Sequence, residues 1–219
     1  AKDYLLKIND IPVLGGAIVS GSFQGFDQSY LIDALNKLGE SYVGVTQVPV
    51  NIKDDALIQL NNAGVRALRF NLYRGGSEAM KHMQDMALRV HEMFGWHIEL
   101  YIDAQTLPDI SPVINQLPKV CIDHLGLSEE GLPSLYQFVE SGGWVKATGF
   151  GRLNFHIPSV LTQITHINPH ALVFGSDLPG TRAPRPFEHE DLHLILNALD
   201  KNTAKKVLWD NAQSLYSRV

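Results

Sequence analysis

Two residues with catalytic side chains close apolar, strand-like runs in this sequence. His124 ends the apolar part of KVCIDHLG on the face of Val120 and Ile122, and Asp177 ends ALVFGSD. Because side chains alternate along a strand, we expect both residues to point toward the inner face of a parallel sheet. A histidine and a carboxylate together can activate water, polarise a carbonyl group or bind a divalent metal. We therefore predict that His124 and Asp177 meet in one active site.

The same alternation places further polar side chains on the inner face. In VRALRFNL it turns Leu68 outward and Arg69 inward, and in HIELYID it turns Glu99 and Tyr101 inward. Lys146 of WVKATGF also faces inward. Buried charges are costly unless they are paired or functional. Glu99 and Lys146 lie on alternate strands, which share a layer inside a barrel, so we expect them to form an ion pair, with a structural rather than a chemical role favoured.

Short apolar runs alternate with amphipathic stretches along the whole chain, which is typical of repeated βα units. The predicted strands cover residues 15–22, 42–49, 65–72, 97–103, 119–126, 144–150 and 171–177. Residues 192–199 and 204–215 are predicted to be closing helices. The sequence predicts an α/β fold, a (β/α)8 TIM barrel with seven of its eight strands in this chain and extra C-terminal helices.

The start of the sequence suggests that one strand lies upstream. Residues 3–8 have a helical pattern that leads into the first predicted strand. Complete barrels contain eight strands and typically about 250 residues. We expect residues 1–219 to form a single TIM-barrel domain whose first strand lies before residue 1, in a natural protein longer by roughly 20 to 30 residues. The mass of the intact natural protein tests this expectation.

Composition narrows the classes of function. The chain has 219 residues, 45% of them hydrophobic, and a net charge of −5, which is typical of a globular enzyme and leaves oligomeric state open. Basic stripes are absent, so nucleic acid is not an expected partner, and no apolar run approaches the roughly 18 residues of a membrane span. The single cysteine, Cys121, cannot form a disulfide within the chain, which favours a reducing, cytoplasmic setting.

The chain resembles the amidohydrolase superfamily, in particular the branch that contains 2-pyrone-4,6-dicarboxylate lactonase. The resemblance covers nearly the whole sequence through segments whose order is specific. These segments are AGVRALRFNL, HIELYID, VCIDHLG, KATGFGRLN, FGSDLPGTR and VLWDNAQSLY. It implies that His124 and Asp177 belong to the catalytic centre, which an H-x-H pair on the first strand completes. The present sequence contains no H-x-H.

The resemblance also implies roles for individual residues. Asp177 would be the general base, and His124 would polarise the substrate carbonyl or, with Asp177, bind one divalent metal (zinc or manganese); a reaction without metal is equally compatible. Arg69 and Arg152 would bind substrate carboxylates with Tyr101 nearby, and Arg182 is a further candidate for substrate binding. A guanidinium group suits this role because it can hold a carboxylate through two hydrogen bonds.

These roles predict a hydrolase for a small, carboxylated cyclic ester (a lactone) or a similar carbonyl compound. Two alternatives stay open. A metal-dependent decarboxylase on the same fold would release carbon dioxide. A degenerate barrel would bind a small acid without converting it, and the residues just before Ala1 would identify this case by lacking H-x-H.

Overall fold

The predicted alternation of strands and helices is present in the structure, a computed structural model that describes residues 1–75, 78 and 80–217. Its strands follow one another in the sheet in chain order, and the pairs β1–β2, β2–β3, β5–β6 and β6–β7 are parallel. The strands are β1 (Gly16–Val19), β2 (Tyr42–Thr46), β3 (Val65–Asn71), β4 (His97–Tyr101), β5 (Val120–Ile122), β6 (Trp144–Ala147) and β7 (Leu172–Phe174). This is the (β/α)8 barrel fold with seven of its strands in the described residues, as the sequence predicted.

Helices connect the strands and extend the chain at both ends. They are α1 (Lys2–Lys7), α2 (Ser29–Leu38), α3 (Asp54–Asn62), α4 (Met83–Phe94), α5 (Leu107–Ile114), α6 (Leu132–Glu140), α7 (Ile157–Ile167), α8 (His189–Ala198), α9 (Lys201–Lys205) and α10 (Asn211–Leu215). A π-helical turn, Lys206–Asp210, joins α9 to α10. Within the described residues, no helix is both long and apolar enough to cross a membrane.

Contacts divide the chain into two compact units. The first contains residues 1–99 and the tail from Tyr216 onward. Its central strand, β3, is buried at every residue. Leu31 and Leu35 of α2 and Leu57 of α3 are also buried, because these helices carry their apolar residues on one face.

The second unit contains residues 100–215. Cys121 in the middle of β5 is completely buried, and α7 buries an apolar stripe that includes Leu161 and Ile164. At the C-terminal end, the side-chain amide of Asn211 donates hydrogen bonds to the backbone carbonyls of Pro169 (3.0 Å) and Leu172 (2.8 Å). These bonds attach α10 to the start of β7.

The strands end earlier than the sequence predicted, and for β5 and β7 this changes the placement of candidate site residues. We expected β5 to continue to residue 126 and β7 to residue 177, but they stop at Ile122 and Phe174. The expectation that His124 and Asp177 close their strands is therefore wrong. Both residues have left-handed backbones, with φ of 52° and 55°, and a strand cannot contain this conformation. They lie in the turns that follow the strands.

The charged residues on the inner face are buried, as alternation predicted. Lys146 Nζ lies 3.0 Å from Asp123 Oδ1. Glu99 Oε1 accepts a hydrogen bond from the Tyr216 hydroxyl (2.6 Å) and lies 3.3 Å from His97 Nε2. Asp123 and Tyr216 are thus partners that the sequence did not indicate, and direct pairing of Glu99 with Lys146 stays a prediction.

Candidate active site

His124 begins an unusual left-handed turn after β5. The four residues from His124 to Leu127 all have positive φ, at 52°, 48°, 73° and 70°. A left-handed conformation costs roughly 1–2 kcal/mol for each residue with a side chain, and such residues persist only where the surrounding structure holds them. Gly126 is the one glycine of the turn. A side chain at this position is excluded by lack of space, because its Cβ atom would lie 2.6 Å from the Cβ of Ala104. The turn is therefore held by its neighbours.

The imidazole of His124 is fixed on two sides. Its Nδ1 lies 2.7 Å from the Thr148 hydroxyl oxygen, and its ring packs edge-on against the ring of Tyr101, with 5.2 Å between centroids. The histidine is almost completely buried. Nδ1 contacts Thr148, and the other ring nitrogen, Nε2, faces Asp177.

Asp177 presents its carboxylate to His124. The distance between His124 Nε2 and Asp177 Oδ1 is 3.9 Å, which confirms the expected proximity of the two side chains. This distance is too long for a direct hydrogen bond. It is short enough for both groups to contact the same small oxygen atom or ion. The Asp177 side chain retains 22% of its exposure, so the pair is accessible.

Arg152 also belongs to this cluster. Its Nε donates a 2.8 Å hydrogen bond to Asp177 Oδ2, and its Nη2 lies 2.8 Å from the same oxygen. Nη2 additionally donates to the backbone carbonyl of Thr181. The family resemblance implied a role of Arg152 in substrate binding and did not indicate this ion pair. One signal was available, because β6 and β7 are neighbours and the residues after their carboxyl ends lie side by side.

Sequence reasoning did not single out Asp123 or Thr148. Asp123 directly precedes His124, and its ion pair with Lys146 is almost completely buried. Thr148 comes two residues after Lys146. The pattern K-x-T at the end of β6, together with the dipeptide DH after β5, was the signal that could have identified them.

The other two predicted substrate residues, Arg69 and Arg182, are described by their own surroundings. Arg69 is buried in the first unit, where its Nη1 donates a hydrogen bond to the backbone carbonyl of Ser20 (3.2 Å). Arg182 is exposed in the loop after β7 and has a left-handed backbone. The structure thus brings His124, Asp177, Arg152 and Tyr101 together in one cluster.

The described residues contain an incomplete set of metal ligands. No group of three or more histidine, cysteine, aspartate or glutamate side chains in residues 1–75, 78 and 80–217 has the geometry to hold a metal ion. His124 and Asp177 would supply two ligands, whereas a catalytic zinc site typically has three from the protein. The described residues alone therefore do not fit a metal centre, and the chemistry below uses protein groups.

The position of this cluster, at the carboxyl ends of β5, β6 and β7, is where barrel enzymes carry their active sites. Residues 2–218 match the family model for amidohydrolases. The chain belongs to the amidohydrolase family. Membership confirms the resemblance found in the sequence.

Two relatives of known description are similar in sequence. A 2-pyrone-4,6-dicarboxylate hydrolase from Comamonas testosteroni is 32% identical over 112 residues, which cover 50% of this chain and 36% of that protein. A 4-sulfomuconolactone hydrolase from Rhizobium radiobacter is 25% identical over 239 residues, which cover 98% of this chain and 79% of that protein. The alignment with the Comamonas enzyme thus spans about a third of its length.

Solved structures show the same fold. A Pseudomonas putida protein, provisionally assigned as a 2-pyrone-4,6-dicarboxylic acid hydrolase, superposes with a TM-score of 0.84 at 24% identity, covering 98% of this chain and 86% of that one. An Acinetobacter baumannii protein with the same provisional assignment, crystallised with citric acid bound, gives a TM-score of 0.82 at 22% identity, covering 98% and 88%. At these identities the likeness concerns the fold alone.

Proposed function

We propose that this amidohydrolase opens a small, carboxylated cyclic ester by hydrolysis. The observation that carries the proposal is the 3.9 Å separation of His124 Nε2 and Asp177 Oδ1 in an accessible cluster. A water molecule between these atoms and the substrate carbonyl could be activated by the carboxylate, while the imidazole contacts the carbonyl oxygen. The two lactone hydrolases among the sequence relatives support this choice of reaction.

In the proposed reaction, Asp177 acts as the general base. It takes a proton from water as the water oxygen forms a bond to the lactone carbonyl carbon. His124 stabilises the negative charge that develops on the carbonyl oxygen. The ring C–O bond then breaks, and Asp177 returns the proton to the leaving oxygen. The product is the open-chain acid.

Arginine side chains would orient the substrate. Arg152 already holds Asp177, and its Nη1 group can still donate to a substrate carboxylate. Arg69 is the second proposed carboxylate ligand, with Tyr101 and Arg182 contributing to the substrate site. Fixing the ring in this way brings the carbonyl and the water together before the reaction.

Other sequence-based expectations stay predictions. They concern a bound zinc or manganese ion, a cytoplasmic location, an anionic carboxylate as the only class of partner, and an upstream H-x-H strand.

The test is a hydrolysis assay with 2-pyrone-4,6-dicarboxylate, followed by the loss of ring absorbance. Asp177→Asn should lower kcat on the order of 100- to 10,000-fold, because it removes the base. Asp109→Asn, an exposed carboxylate on α5, is the matched control and should leave kcat unchanged. Equal activity of Asp177→Asn and wild type would contradict the assignment of the base. Release of carbon dioxide would instead identify a decarboxylase, and binding without turnover a non-catalytic barrel.

A further inference from the structure

Two side chains of one segment contact the turn that carries His124. Lys146 and Thr148 are two residues apart, so alternation directs them to the same face. Lys146 Nζ lies 3.0 Å from the carboxylate of Asp123, the residue before the histidine. The hydroxyl oxygen of Thr148 lies 2.7 Å from Nδ1 of the His124 imidazole. Lys146 of β6 and Thr148, the residue just after β6, thus contact Asp123 and the imidazole of His124, respectively.

The ion pair is so deeply buried that its two side chains can adopt few positions relative to each other. The side chains of Lys146 and Asp123 retain only 8% and 3% of their exposure. Taking two charges out of water is expensive, and their attraction compensates only when the contact geometry is good. The pair therefore favours a single position of Asp123 and of the chain that follows it.

The chain that follows is the strained part of the site. His124 and Leu125 both adopt left-handed backbones although they carry side chains. Without an external restraint, such residues return to the right-handed or extended regions. Asp123 directly precedes the first left-handed residue, His124. A restraint on Asp123 therefore also restrains the direction of the His124 side chain.

We propose that Lys146 is a positioning residue for His124. Its ion pair with Asp123 holds the left-handed turn, and Thr148 holds one orientation of the imidazole through its contact with Nδ1. Together they keep Nε2 directed toward Asp177. The kinetic consequence rests on the proposed function, whereas the structural consequence, an altered His124 ring environment, does not.

The test replaces both members of the ion pair together, so that neither Lys146 nor Asp123 keeps its charge without the other. In Asp123→Asn/Lys146→Met, the His124 ring signals in a long-range ¹H–¹⁵N spectrum should shift. These signals are identified by their absence in His124→Asn. With 2-pyrone-4,6-dicarboxylate as substrate, kcat should fall about ten- to a hundred-fold, while KM changes less than about threefold, because orientation and not substrate affinity is lost.

A matched control removes an ion pair from another part of the same unit. Lys205→Met/Asp210→Asn eliminates the exposed pair next to the π-helical turn and should change neither the His124 signals nor kcat. Thr148→Val isolates the contact at Nδ1. It should shift the Nδ1 signal of His124, because the hydrogen bond at that atom is lost, while the fold is retained.

The outcomes separate the two proposals. Unchanged His124 signals in the double variant, with or without a loss of kcat, would overturn the positioning role. If that variant does not fold, Asp123→Glu takes its place, because it keeps the charges but moves the turn; unchanged signals and kcat in Asp123→Glu would equally overturn it. A wild-type protein without hydrolase activity would refute the proposed function, and the ring signals would still decide the role of Lys146.

Discussion

At the residue scale, Arg69 carries the charge on which the substrate hypothesis depends. Its guanidinium is buried, and its Nη1 donates a hydrogen bond to the backbone carbonyl of Ser20. We propose that it also donates to a substrate carboxylate, which a guanidinium group can hold through two hydrogen bonds. Arg66, three residues earlier in β3, donates instead to the carbonyls of Asn61 and Val65 near the beginning of the strand.

We predict that Arg69→Met lowers kcat/KM about ten- to a hundred-fold, because a charge-assisted hydrogen bond is lost. The variant should stay folded at the assay temperature, which its thermal midpoint checks. The matched control, Arg66→Met, should lower the midpoint through its lost local hydrogen bonds and leave kcat/KM unchanged. Steady-state kinetics and thermal unfolding measure both effects. Unfolding of Arg69→Met would show that the arginine has a structural role.

At the scale of elements, the turn after β6 determines how closely the chain can approach the imidazole. Gly149 has a left-handed backbone, with φ of 62°. A Cβ atom at this position would lie 2.7 Å from His124 Nδ1 and 3.0 Å from the Cδ of Arg152. Glycine is therefore required both by the backbone conformation and by the space beside the two functional side chains.

We predict that Gly149→Ala displaces the His124 ring and lowers kcat at least tenfold, in addition to a stability cost of about 1–2 kcal/mol for the left-handed backbone. Gly142→Ala is the matched control, because Gly142 also has a positive φ (96°) but would place its Cβ in open space. The control should lose comparable stability and keep its kcat. Equal kcat in both variants would show that the approach of Gly149 to His124 has no functional effect.

At the scale of the whole molecule, the C-terminal helices are attached by buried polar contacts as well as by apolar packing. Asn211 is almost completely buried, and its amide satisfies two backbone carbonyls at the start of β7, the strand that leads to Asp177. Buried acceptors without a hydrogen bond cost about 1–3 kcal/mol each. The end of the chain thus contributes to the stability of the strand that precedes the active site.

Asn211→Leu should therefore lower the free energy of unfolding by about 2–5 kcal/mol, since it conserves size but removes both donors. The measurement is urea denaturation followed by circular dichroism. Gln213→Leu, an exposed substitution on the same helix, should change stability by less than about 0.5 kcal/mol. Coincident denaturation curves for the two variants would contradict a structural role of the Asn211 amide.

The sequence by itself determined the order and type of the elements and the direction of individual side chains. Strand alternation and helical periodicity are local, so the burial of Arg69, Glu99 and Lys146 could be predicted from the residues beside them. The proximity of His124 and Asp177 could also be predicted from the sequence, because the carboxyl ends of parallel strands lie at one edge of a sheet.

Tertiary structure alone decided the local geometry of the site. The left-handed turn contains Leu125 and Leu127, residues with no intrinsic preference for positive φ, and only the surrounding structure can hold them there. The ion pair of Arg152 with Asp177 joins side chains 25 residues apart. A charged side chain takes whichever opposite charge the folded chain brings within reach, and that distance is set by loops whose conformations no local pattern encodes.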